Sequence, residues 1–273
     1  MSVKVEQRGA ALHVVLARAE KRNAFDGDML TTLEQAIERA NTDPSCRVLV
    51  LSGEGQAFCA GADLRWLAVQ GAGGRQGNID SARRMGGIFH QLSACKLPTI
   101  ARVQGPAMGG GVGLAAACDL VVAAQSAYFT LSEVRLGLVP AVISPFIVRR
   151  VGPARARALF MLGRRVQATE AERIGLADVV VRGETVQAIE AALDATIAGL
   201  CATLSKGGPR AQTRCKQLVD AVAFRDPADV LDLTAEMIAD ARATAEAAEG
   251  IAAFLGKRPA SWVPKHDAPE GTS

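Results

Sequence analysis

Two patterns of apolar residues divide the chain near residue 184. Before it, short apolar runs alternate with amphipathic stretches. Val3–Gln7 and Leu12–Ala17 are brief apolar runs on either side of Gly9, and predict a pair of strands. A loop over Arg18–Phe25 follows. Leu30, Leu33, Ile37 and Ala40 then recur at helical spacing, with Asp26 or Asp28 placed to cap the helix. Arg47-Val-Leu-Val-Leu51 and Thr99–Val103 are short enough and apolar enough for buried strands, and a helix is predicted between them over Ile79–Ala94. The glycines of Gly71-Ala-Gly-Gly-Arg-Gln-Gly77 predict a flexible connection. Strand, helix and strand recurring with crossovers of this length predict an α/β layered domain with parallel strands.

After Glu184 the period is helical throughout. Val186–Leu204, Pro209–Ala223, Asp226–Ala241 and Ala243–Gly256 are rich in Ala, Leu, Glu, Lys and Arg, with Pro209 and Pro227 near helix starts. A helical region of this size is too small to carry a catalytic core alone. It reads as a lid or an association surface, and the expected division is residues 1–200 against 201–273. The tail after Trp262 is polar, holds Pro264 and Pro269, and is expected to fray.

Composition narrows the function classes. The chain has 273 residues, 49% apolar and 22% charged, and its net charge is only +3 (31 − 28). That is enough apolar material for a large core and excludes disorder as the main state. The weak positive balance and 4% aromatics do not point to a nucleic-acid binder. Six scattered cysteines form no C-x-x-C pair and read as free thiols in a reducing compartment. Three histidines (His13, His90 and His266) lack i, i+4 spacing, so no metal site is expected. There is no G-x-S-x-G elbow, no P-loop and no G-x-G-x-x-G. Charges within the first twenty residues exclude a signal-peptide reading. The longest uncharged stretch, Val103–Cys118, is 16 glycine-rich residues, too short for a membrane span. The expectation is a cytoplasmic protein with no membrane partner.

The candidate chemistry lies in two glycine-rich turns, each following a predicted buried strand. One is Phe58-Cys-Ala-Gly-Ala-Asp-Leu64; the other is Gly105-Pro-Ala-Met-Gly-Gly-Gly-Val-Gly113, which runs into a helical Leu114–Cys118. Small residues let backbone approach a ligand closely, and a helix start leaves N–H groups free. Two such turns facing each other would supply paired donors for a developing oxyanion.

Further segments extend this pair: Asn23-Ala24, Cys118-Asp-Leu120, Phe129–Pro140, Gly163–Glu170, Gly175–Val179 and Ala253–Arg258. In this order and spacing the chain resembles the enoyl-CoA hydratase/isomerase (crotonase) superfamily over nearly its whole length. The resemblance implies an α/β crotonase-like spiral of repeated β-β-α turns over residues 1–200, with residues 201–273 as a C-terminal helical trimerisation region. It implies an acyl-CoA substrate and a homotrimer or dimer of trimers. The coenzyme A is part of the substrate, so no separate cofactor or metal is expected. Carried over by position, the oxyanion donors would be the amides of Ala60 and Gly110. The adenine end would lie against Lys21, Arg22, Ala62 and Asp63, with Phe254 and Lys257 contributed by the C-terminal helix of the same or a neighbouring subunit.

The acid/base positions depart from the family pattern. Hydratases of this family usually hold water between two glutamates; here the second matches Glu133, while the first falls on Gly113. The resemblance therefore implies Glu133 as the single acid/base, which suits a hydratase or a Δ3-Δ2 enoyl-CoA isomerase. Leu131–Phe146, especially Ala141-Val-Ile-Ser-Pro-Phe146, is similar to bacterial hydratases acting on methylglutaconyl-CoA and isohexenylglutaconyl-CoA in leucine and terpene breakdown. Their substrates carry a second carboxylate, for which Arg135 or Arg102 is a candidate cation. Some methylglutaconyl-CoA hydratases also bind RNA. Six arginines from Arg149 to Arg165 keep that remote alternative open, against a plainer reading as a solvated face paired with Glu170 and Glu172.

Overall fold

The computed structural model of the protein describes residues 2–264. The chain winds in successive turns, each laying a strand in a large sheet, then a rung in a smaller layer, then a helix. In the first turn β1 (Val3–Arg8) and β2 (Ala11–Leu16) pair antiparallel, Phe25 forms the rung, and α1 (Gly27–Thr42) follows. The second turn contains β3 (Val48–Gly53), a rung at Cys59–Ala62, α2 (Leu64–Gly71) and α3 (Gly74–Ser93). The third runs β4 (Thr99–Val103), β5 (Ala107–Met108) and α4 (Gly110–Ala117). The fourth runs β6 (Leu120–Ala124), β7 (Tyr128–Thr130), a 3-10 turn at Glu133–Leu136 and α5 (Ser144–Leu162). Then β8 (Arg165–Gln167) pairs with β7, and α6 (Ala168–Ile174) leads to β9 (Val179–Val181).

The large sheet has the order β1-β2-β3-β4-β6-β9 and is parallel from β2 onward. Its central strands are apolar on both faces: β3 buries Val48 to Ser52, as a strand covered by helices on both sides should. Helix α1 shows how a local pattern becomes packing. Asp26 accepts from the Met29 amide at 3.1 Å, and Met29, Leu30, Leu33, Ala36, Ile37 and Ala40 are buried as one stripe. Each large apolar side chain buried this way is worth about 1.5–3 kcal/mol before entropy is counted.

In the smaller layer, Phe25 bridges Ala62, Cys59 bridges Ala107, β5 runs parallel to β7, and β7 pairs with β8. The predicted spiral of β-β-α turns is thus realised. The rungs range from single bridging residues to three paired ones, too short to show any period.

The glycines of 71–77 do not form a loop. Only Ala72 and Gly73 separate α2 from α3, which starts at Gly74 and so begins five residues before its expected position. Packing of α3 against α1, α2 and α4 overrides the weak helix propensity of glycine.

Helix α7 (Val186–Ser205) lies along β6 and β9, burying Ile189, Leu193 and Ile197. It is the one helix among the described residues long and apolar enough to cross a membrane, and its contacts with the sheet use part of that surface. A division after residue 200 falls inside it. Beyond it stand α8 (Pro209–Val222), a 3-10 turn at Pro227–Val230, α9 (Leu231–Arg242) and α10 (Ala245–Leu255). The chain is tied down as far as Trp262: its indole donates to the Lys206 carbonyl, and Arg47 donates to the Trp262 carbonyl. Pro269 and His266 lie outside the described residues.

Candidate active site

The rungs stack in the order Phe25, Cys59–Ala62, Ala107–Met108 and Phe129–Thr130, which brings four distant segments side by side. At the end of each rung the chain turns into a helix, so backbone amides that have not yet found helical partners gather along one edge. The Gly110 amide opens α4 and has no acceptor among the described residues. The Gly109 amide before it donates to the Thr130 carbonyl at 2.8 Å, and Gly109 takes φ +49 to make that turn.

The facing segment corrects one expectation. The Ala60 amide is not free: it donates to the Arg22 carbonyl at 2.9 Å. The bridge between Phe25 and Ala62 then uses Phe25 N–H to Gly61 O and Asp63 N–H to Phe25 O, and leaves the Ala62 amide without an acceptor among the described residues. Gly61 brings the two turns together. Its φ is +89, and a Cβ there would lie 2.8 Å from the Met108 carbonyl and 3.2 Å from the Gly110 nitrogen. The free amides beside each other are therefore those of Gly110 and of Ala62, a residue expected at the adenine end.

Glu133 starts the 3-10 turn just after β7. One carboxylate oxygen, Oε1, comes within 3.1 Å of where a Gly109 side chain would begin, so the carboxylate lies beside the second turn. The other, Oε2, is buried and has no hydrogen-bond partner. Burial pushes the Glu133 carboxyl above its ordinary value. A half-buried, unpaired carboxylate next to free amides is equipped to take and return a proton.

No second acid joins it from Gly113. A Cβ at that position would sit 2.2 Å from Ile143 Cγ2 and 3.3 Å from a Phe89 ring carbon. The volume a first glutamate would occupy is filled by apolar side chains, and Phe89 continues into contacts with Phe25 and Phe146. Sequence reasoning saw the glycine but not its filler, because Ile143 reaches the position from thirty residues away.

The remaining expected site residues separate into two places. Lys21 and Arg22 are exposed beside the Ala62 turn, with Arg22 at φ 52. Asp63 is engaged structurally: it caps α2 by accepting from the Arg65 and Trp66 amides, and Arg18 stands 3.4 Å from its other oxygen. Phe254 and Lys257 stand at the end of α10, whose neighbours are α9, Trp262 and the start of α8 through Glu246. Phe254 is 83% exposed. Nothing within one chain joins them to Lys21 or Arg22 among the described contacts.

Of the two cations considered for a distal carboxylate, Arg102 is already held by Glu190 and Asp194 of α7. Arg135 is exposed on the Glu133 turn. Four of the six clustered arginines are engaged as well. Arg149 pairs with Asp220, Arg150 with Asp178, Arg164 with Glu170, and Arg165 stacks 4.5 Å over Tyr128. Glu172 pairs instead with Arg182. All six cysteines are free thiols. Among the described residues no cluster of three or more metal-ligating side chains occurs. A groove of about 1360 Å³ lies elsewhere, between β1, β2 and the α7–α8 region; Arg102 and Asp194 are among its lining residues, whereas Ala62, Gly110 and Glu133 are not.

A sequence model of the enoyl-CoA hydratase/isomerase family matches residues 6–265. A Thermus thermophilus protein provisionally named an enoyl-CoA hydratase is 36% identical over 258 residues, covering 94% of this chain and 98% of that protein. The crystal structure of an enoyl-CoA hydratase from Shewanella pealeana is 32% identical, with a TM-score of 0.90 and 96% of each chain covered. That of an enoyl-CoA hydratase/isomerase from Marinobacter aquaeolei is 33% identical, with a TM-score of 0.88, covering 96% of this chain and 99% of the other.

Proposed function

Because the chain belongs to the enoyl-CoA hydratase/isomerase family, we propose that it adds water across the double bond of an α,β-unsaturated acyl-CoA thioester. The observation that carries this reading is the half-buried Glu133 carboxylate, its Oε2 buried without a partner, beside the free Ala62 and Gly110 amides. The thioester carbonyl oxygen accepts from both amides. Water attacks the β-carbon, its proton passes to Glu133, and electron density moves onto the carbonyl oxygen as an enolate. Each amide donor contributes roughly 2.7–4 kcal/mol to holding that charge. Glu133 then returns the proton to the α-carbon, so one carboxyl group serves as base and acid in turn.

The acyl group we propose is branched, of the methylglutaconyl type, and rests on the likeness of Leu131–Phe146 to hydratases of that kind. With Arg102 already paired, Arg135 is the cation left to meet a distal carboxylate. Lys21 and Arg22 face the coenzyme A phosphates, and Phe254 and Lys257 reach the adenine from a neighbouring subunit. Exposed apolar side chains on α8–α10 support a homotrimer or a dimer of trimers. The site of action is the cytoplasm, without a metal or a resident cofactor.

A second reading is favoured by the filled space at Gly113. With no second carboxylate, Glu133 is also suited to moving one proton between carbons, as a Δ3-Δ2 enoyl-CoA isomerase does. Product analysis with crotonyl-CoA, a 3-enoyl-CoA and methylglutaconyl-CoA separates the two. Hydration of methylglutaconyl-CoA is expected. Double-bond migration in the 3-enoyl ester, with no water added to any substrate, would establish the isomerase.

A further inference from the structure

We propose that Asn23, which touches no reacting atom in this reading, is a positioning residue that sets the separation of the two amide donors. The inference rests on Ala62 and Gly110 being those donors. Asn23 is fully buried, at 0% exposure, and takes the left-handed conformation with φ 56. Its Oδ1 accepts from the Arg18 amide at 2.9 Å. Its Nδ2 donates toward the carbonyls of Glu54, Ala57 and Phe58 at 2.9, 2.8 and 3.2 Å. Two hydrogens serve three acceptors, so the side chain ties the first-turn loop to the strand end that leads into the second rung.

From that tether both donors are one contact away. The Asn23 carbonyl accepts from the Cys59 thiol at 3.1 Å, a group that burial pushes up to about 12 and so keeps protonated. The carbonyl of Arg22 accepts from Ala60, and Phe25 pairs with Gly61 and Asp63, which leaves the Ala62 amide free on the other side. The Phe25 ring meanwhile packs on Gly110: a Cβ there would lie 2.5 Å from Phe25 Cζ. Residues 22–25 therefore touch the Ala62 turn through backbone and the Gly110 turn through a ring. The Asn23 side chain holds those residues in register.

A small displacement of paired donors weakens both bonds to an oxyanion at once, and an error of about 1 Å can cost on the order of 10²-fold in rate. Asn23→Gly keeps the left-handed backbone without strain while deleting every side-chain bond. The expected result is a fall in kcat of roughly tenfold to a hundredfold, with affinity for butyryl-CoA nearly unchanged. The decisive readout is the infrared carbonyl stretch of carbonyl-labelled butyryl-CoA, which binds but has no double bond to hydrate. Bound to wild type, the stretch is downshifted by the two donors; bound to Asn23→Gly, the downshift shrinks. This frequency belongs to the folded, liganded fraction, so partial unfolding does not mimic the effect, and Asn23→Ser supplies a milder variant if the glycine chain does not fold. An unchanged stretch and unchanged kcat per folded site in both variants would overturn the proposal. Gly110→Pro run alongside separates the two levels: if it too leaves the stretch unshifted, the donor assignment itself is wrong.

Discussion

Helices α1 and α8 carry equally marked amphipathic patterns, yet they end in opposite environments. The α1 stripe is covered from Met29 to Ala40, whereas α8 and α9 bury no residue at all and α10 buries only Ala253. Phe224, Leu231, Ile238 and Phe254 stand more than half exposed on or beside these helices. An apolar stripe left uncovered in its own chain marks an interaction surface. The spiral core satisfies its own pattern and builds the chemistry. The C-terminal helices present a pattern that their own chain leaves uncovered, and they carry Phe254 and Lys257.

The contrast is sharpest if chemistry is removed from the core without touching assembly. Glu133→Gln keeps the shape of the side chain but cannot take a proton. Turnover should fall by about 10²–10⁴-fold, with ester binding and oligomer mass unchanged. Steady-state kinetics beside light scattering check it. Gly110→Pro removes one donor and fixes φ, and should cost about 10²–10³-fold in kcat. Unchanged turnover in a folded Gly110→Pro chain would place the hole elsewhere.

These two expectations show how far the sequence reached. Strands β1 to β4 were legible because five or six consecutive residues share one pattern, and the pair Asp26 and Asp28 announced α1, with Asp26 proving to be the cap. The rung layer was not: Ala107–Met108 is two residues long, and what makes it a strand is pairing with Phe129 and Thr130. The donor pair was legible only to within two residues. Whether Ala60 or Ala62 is free depends on the Arg22 carbonyl, nearly forty positions away, and no local pattern encodes that bond. The missing first glutamate was visible as Gly113, but the apolar filling of its place is a tertiary fact.

That filling gives the next test. Gly113→Glu would force a side chain, and a charge, against Ile143 and Phe89. A loss of stability of about 1–3 kcal/mol from overpacking alone is expected, measurable by urea unfolding. A second carboxylate cannot simply be restored without also trimming Ile143. On the exposed face of α7, by contrast, a Cβ on Gly199 meets nothing within 4 Å, and Gly199→Ala should stabilise by about 0.5–1 kcal/mol. Equal responses at the two glycines would erase the distinction between a filled core and an open helical face.

The smallest effect on chemistry belongs to the C-terminal region. Ile238→Asp places a charge on the uncovered face of α9. The sedimentation mass should drop toward that of one chain, while helix content by circular dichroism stays constant. KM for the ester should rise roughly fivefold, a loss of about 1 kcal/mol of contact from Phe254 and Lys257. An unaltered mass would place the association surface elsewhere.

The central claim is that one carboxyl group, Glu133, handles both protons. The pH dependence of kcat/KM tests it most directly. As the acting base, Glu133 must be ionised. The rate should therefore fall as pH drops through its pKa, along a single limb of unit slope, with a midpoint above the ordinary carboxylate value because burial raises it. The small residual rate of Glu133→Gln should lack that limb. A limb that persists in Glu133→Gln, or a bell with a second enzyme ionisation of equal weight in wild type, would contradict the account.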